Sequence, residues 1–114
     1  MRLIQPAVHR VLDFGTVIAF AAAPGVLGMS GAPALASYAL ACIHLALTLL
    51  TRWSAEGHAP IALKIHGGVE MLVGPVLLAA PYVLGWEGIA RTFYLAAGAL
   101  IIAVWALSAY SAKS

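Results

Sequence analysis

The sequence predicts an all-α membrane protein, with four transmembrane helices laid out as a tandem duplication of a two-helix hairpin. Composition is the first reason. Of 114 residues, 63% are hydrophobic and only 9% are Asp, Glu, Lys or Arg, against about a quarter in soluble proteins. So few charges cannot clothe a water-soluble domain. Second, those charges gather at segment ends, leaving apolar stretches long enough to cross a bilayer core of about 30 Å. Third, the chain matches itself at half its length. Residues 1–57 laid on 58–114 without a gap give 14 identities in 57 pairs, where composition alone gives roughly five.

The expected spans are 8–29, 35–53, 62–85 and 89–111. Lipid offers no hydrogen-bond partners, so a span must be a helix or part of a closed barrel. Ala- and Leu-rich runs without period-two alternation exclude the barrel. In helix one, Pro6 suits the first turn, where its missing N–H costs nothing, and Gly28 is placed to stop the helix. Arg2, Arg10, the apolar run and Ala32–Ala36 imitate a secretory signal with a small-residue cleavage site. Asp13 inside the run and a second copy in mid-chain speak for a retained helix. In helix two, Tyr38 and Trp53 sit where interfacial aromatics belong. Cys42 is alone, so no internal disulfide forms, and it reads as a buried, inert thiol. The 54–60 stretch, with Gly57 and Pro60, is the linker between units 1–57 and 58–114.

Helix three carries Gly74 and Pro75, and a mid-span proline removes a backbone hydrogen bond and predicts a kink. Helix four carries Ala96, Ala97 and Gly98, small residues that admit a neighbouring helix. Glu87 and Arg91, four apart, read as a local salt bridge. Arg2, Arg10, Arg52, Lys64 and Lys113 flank one side and Arg91 the other. The positive-inside tendency then puts both termini and the linker in the cytoplasm of a prokaryotic cell, with the two hairpins inserted the same way up.

The tract Leu78-Ala79-Ala80-Pro81-Tyr82-Val83-Leu84-Gly85-Trp86, and its counterpart Ala23-Pro24-Gly25-Val26-Leu27-Gly28, resemble the SPW-repeat family of small prokaryotic integral membrane proteins. That family's mark is a helix ending in Ser-Pro-Trp, a short apolar stretch and Gly, then a second helix with an internal Gly, here Gly98. Ala stands in the Ser position twice, and Gly25 and Tyr82 replace Trp. The resemblance implies a membrane-embedded two-helix repeat and brings no activity, ligand or functional residue with it.

The polar constellation is His9 with Asp13 and, 57 residues on, His66 with Glu70. Residues four apart share a helix face, and parallel repeats put both pairs at one depth. Carboxylates are costly in lipid, so these face protein, water or each other. If helices one and three meet, the set could bind a divalent metal or pass protons. Two histidines could also ligate haem. The simplest reading is packing, each His pairing with its own acid, or Arg10, Lys64 or headgroups pairing the acids. His44 is a lone mid-span imidazole, expected to hydrogen-bond across helices. His58 lies in the linker and is expected to be solvated.

Net charge is +2, too small and dispersed for nucleic acid. No phosphate-binding glycine loop, nucleophile elbow or HExxH is present. The sequence therefore points to a non-enzymatic structural or interaction protein, with no cofactor assigned. Its small-residue faces at Ala96–Gly98 and Gly67–Gly74 would serve homo-oligomerisation or docking as an accessory subunit of a membrane complex. A proton or metal-ion transport unit, or haem or metal binding through the paired histidines, are the alternatives.

Overall fold

A computed structural model describes residues 3–110, and the regular elements among them are four helices: α1 (Pro6–Leu27), α2 (Gly31–Leu50), α3 (Leu63–Leu84) and α4 (Gly88–Leu107). At 1.5 Å per residue each is about 30–33 Å long, the thickness of a hydrocarbon core. The molecule measures 44 × 25 × 19 Å. All four helices are long and apolar enough to span a membrane, so the chain is read as a multi-pass membrane protein. Its surface agrees. Val11, Ile18, Val26, Leu72 and Val83 point outward, while His9, Asp13, Ser37, Thr48, His66 and Glu70 are buried.

Every bound in the second helix pair is the corresponding bound in the first plus 57. The local chemistry repeats as well. Gly28 and Gly85 end α1 and α3 in the left-handed conformation (φ 68° and 73°), each donating its N–H to a proline carbonyl, Pro24 and Pro81. Only glycine takes that conformation without a Cβ clash. Pro24 lacks the N–H that would reach Phe20 O, and the Ser37 hydroxyl of α2 donates to that carbonyl instead, at 2.6 Å.

Within each hairpin the helices run antiparallel and pack closely, α1 on α2 and α3 on α4. In the second hairpin Gly74 and Gly98 form the contact. A Cβ on Gly98 would lie 2.9 Å from Gly74 O, and a Cβ on Gly74 would strike Ile102. A Cβ on Gly67 would meet the Tyr110 ring. These glycines, expected to face another molecule, are thus consumed inside the chain, because each helix has its partner in its own hairpin. α3 stays one helix through Pro75 and Pro81.

The hairpins are tied together at one end by two backbone bridges. Ile4 pairs across to Ser108, and Thr51 to Ile61. Ile4 N–H donates to Leu107 O and Ala109 N–H to Ile4 O; 57 positions away, Ile61 N–H donates to Leu50 O and Arg52 N–H to Ile61 O. Each hairpin's entry strand therefore closes on the other's exit. The bridges end α2 at Leu50 and α4 at Leu107, short of the 53 and 111 expected, because Thr51 and Ser108 turn extended to make them. They also set α1 and α3 running in the same direction. Of the basic residues that define the charged end, Arg10, Arg52 and Lys64 lie there, with Arg91 at the other end; Arg2 and Lys113 fall outside the described residues.

The far half of the bundle is packed by Phe20, Ala41, Leu77, Tyr94 and Ile101, with Phe93 set edge-on to Phe20 at 5.6 Å. Two local expectations are corrected. Cys42 is exposed on the outer face of α2, not buried. Arg91 makes no bridge to Glu87; its Nε donates to Trp86 O and its guanidinium lies over the Tyr82 ring. At the charged end Trp53 is half-buried, its indole N–H donating to Thr48 O.

Candidate functional site

His9 and Asp13 stand one turn apart on α1, and His66 and Glu70 one turn apart on α3. Because these helices start level and run parallel, the structure brings all four side chains to one point. One ligand atom from each lies within 4.8 Å of all the others, and all four residues are buried. His9 and His66 are fully enclosed; Asp13 and Glu70 are 2% and 3% exposed.

The contacts cross between hairpins. His9 Nε2 is 2.7 Å from Glu70 Oε1 and 3.3 Å from Asp13 Oδ1. His66 Nε2 is 2.7 Å from both Asp13 Oδ2 and Glu70 Oε1. Both imidazoles thus present Nε2 to the same carboxylate oxygen. The acids face neither Arg10 nor Lys64. Arg10 is exposed and lies over the Phe14 ring.

Protons alone satisfy this arrangement poorly. His9 and Glu70 form a hydrogen bond. His66 Nε2 and Asp13 Oδ2, at the same separation, do not, and both atoms are buried without a hydrogen-bond partner. A single N–H on His66 Nε2 would have to be shared between two oxygens at 2.7 Å. Two carboxylates with two neutral imidazoles carry a buried charge of −2, which two protons on the rings or one bound divalent cation would offset.

The surroundings fix the rings. Thr51 Oγ1 has one hydrogen, and it goes to Leu47 O. Thr51 therefore accepts from His66 Nδ1, 2.8 Å away, which leaves the lone pair of the neutral ring on Nε2, facing the carboxylates. Trp53 covers both imidazoles, its ring 5.3 Å from His9 and 4.9 Å from His66. Tyr110, its counterpart at the 57-residue offset, stacks edge-on to His9 at 5.5 Å. Ser108, the counterpart of Thr51, is likewise buried and likewise bonded to the carbonyl four residues back.

His44 joins this group from α2. Its Nε2 is 3.5 Å from Asp13 Oδ1, off the line of a hydrogen bond, and its ring is 6.2 Å from that of His66. Pro75, Gly74 and Gly98 lie outside the cluster, in the α3–α4 contact. Thr51, Trp53, Ser108 and Tyr110 were not expected at this site from the sequence, Trp53 being placed only as an interfacial aromatic. The signal for them was present, since 51 aligns with 108 and 53 with 110 in the same shift that paired the histidines. Comparison with models of known protein families, with curated proteins and with solved structures finds no match. Fold and site define a four-helix membrane bundle with a buried histidine–carboxylate cluster at one end.

Proposed function

We propose that this protein is a membrane-embedded metal-binding protein that holds one divalent transition-metal ion through His9, Asp13, His66 and Glu70. The observation that carries the reading is that one ligand atom from each of these four buried residues lies within 4.8 Å of all the others. Donor atoms aimed at a common point in this way fit a cation between them. Two imidazole nitrogens and two carboxylate oxygens suit Zn²⁺, Fe²⁺ or Mn²⁺ and are unsuited to Cu⁺, which prefers sulfur. A divalent ion would neutralise the −2 charge. Ligands at about 2.0–2.2 Å from such an ion stand about 3.3–3.6 Å apart in a tetrahedron, within the spread of distances here. The Thr51–His66 bond is the outer-shell support that metal-bound histidines ordinarily have.

A purely structural role, expected from composition, leaves this cluster without a purpose, because four buried polar groups are expensive in a membrane. A haem reading fits poorly, since both Nε2 atoms contact one carboxylate oxygen and no slot for a flat macrocycle separates them. Conduction across the membrane is not favoured either, because Phe20, Leu77, Tyr94 and Ile101 fill the far half. We place the cluster end on the cytoplasmic side of a prokaryotic cytoplasmic membrane, on the position of Arg10, Arg52 and Lys64. Duplication of an SPW-like hairpin accounts for the 57-residue offset.

The test is metal analysis of detergent-purified protein equilibrated with Zn²⁺, Fe²⁺ or Mn²⁺ and then desalted. One ion per chain is expected, lost in the His9→Ala/His66→Ala double variant. Wild-type protein that retains no metal under any of these conditions rejects the reading.

A further inference from the structure

Beside the cluster, on the outside of the α1–α2 hairpin, a cleft of about 640 Å³ opens between the start of α1 and the linker. One end is basic. Arg10, Arg52 and His58 line it, and all three are exposed. The other end is apolar, lined by Val11, Phe14 and Leu49, side chains that sit deeper along the spans. Arg10 makes no salt bridge among the described residues, and its only ring contact is with Phe14. Arg52 uses Nε on Ala59 O and likewise has no carboxylate partner. Two guanidiniums at the membrane surface above an apolar floor therefore have no anion among the described residues.

We infer that this cleft binds an anionic phospholipid, its phosphate between Arg10 and Arg52 and an acyl chain along Val11, Phe14 and Leu49. Guanidinium forks match phosphate oxygens, and basic pockets between transmembrane helices hold anionic headgroups. The polarity gradient of the lining selects an amphiphile over a free anion, because a bare phosphate would leave the apolar half empty. At the 57-residue offset Arg10 and Arg52 become Gly67 and Ala109, so the opposite face lacks the guanidinium pair. One lipid per chain follows. Thr51 and Trp53 form part of the same wall, so the bound headgroup packs against the residues that cover His9 and His66.

The experiment uses delipidated protein in maltoside detergent, titrated with phosphatidylglycerol, phosphatidylcholine or inorganic phosphate and read by native mass spectrometry. One phosphatidylglycerol per chain is expected, held more tightly than phosphatidylcholine. Binding should weaken about five-fold in Arg10→Gln and about 25-fold in Arg10→Gln/Arg52→Gln, as loss of one surface cation each requires. Arg91→Gln, at the opposite end of the bundle, should leave it unchanged. Arg10 donates no side-chain hydrogen bond among the described residues, so its variant keeps the test valid if Arg52→Gln disturbs the linker. Equal binding of both lipids, or an unaltered Arg10→Gln, overturns the proposal. Displacement of phosphatidylglycerol by an equal concentration of inorganic phosphate overturns the lipid assignment in favour of a free anion.

Discussion

The Thr51 hydroxyl lies 2.8 Å from His66 Nδ1 while giving its only proton to Leu47 O. A residue just past the end of α2 thereby decides the tautomer of an imidazole on α3. In the neutral ring the lone pair is then on Nε2, pointed at Asp13 and Glu70, and the ring cannot swing away without losing a buried bond.

Replacing Thr51 by Val keeps the shape and removes the acceptor. Zn²⁺ affinity should fall about 10–100-fold, the usual effect of losing an outer-shell partner, and Thr51→Ser should restore it. A competition titration with a chromophoric chelator measures both.

Metal uptake should weaken as pH falls. Imidazole and carboxylate must be deprotonated to ligate, so protons compete with the ion and binding releases them. Affinity measured from pH 8 down to pH 5.5 should decline steadily. A flat profile would show that these groups are not the ligands. Asp13→Asn and Glu70→Gln each remove one anionic ligand and should each lower the retained metal.

Gly98 has no room for a side chain. A Cβ there would sit 2.9 Å from Gly74 O, so Gly98→Val should destabilise the second hairpin by about 1–3 kcal/mol, the cost of overpacking. Thermal unfolding in detergent should show a lowered midpoint.

Ser37→Ala strands the Phe20 carbonyl that Pro24 leaves without its helical donor. In a membrane interior the loss should be about 0.6–1.7 kcal/mol, read in the same unfolding assay. The side chain is fully buried, so water cannot substitute.

Cys42 faces outward in mid-span and is the chain's one cysteine. A nitroxide attached there and reconstituted into vesicles should collide readily with oxygen and weakly with a water-soluble nickel complex. The opposite ratio would place α2 outside the hydrocarbon.

Much of this protein is written in its order of residues. Apolar length set the four spans, Gly28 and Gly85 set where α1 and α3 stop, and the 57-residue shift put His9 with His66 and Asp13 with Glu70 at one depth. Which way each helix faces was decided only in three dimensions. In a soluble helix the polar face marks water, but these helices are apolar all round, and lipid and protein interior accept the same side chains. Periodicity therefore could not tell that Cys42 turns outward, that Trp53 covers His9 and His66, or that His44 reaches Asp13. The bridges that tie Ile4 to Ser108 and Thr51 to Ile61 decided the rest. By holding α1 and α3 parallel and level, they bring two distant histidine–carboxylate pairs into a single cluster.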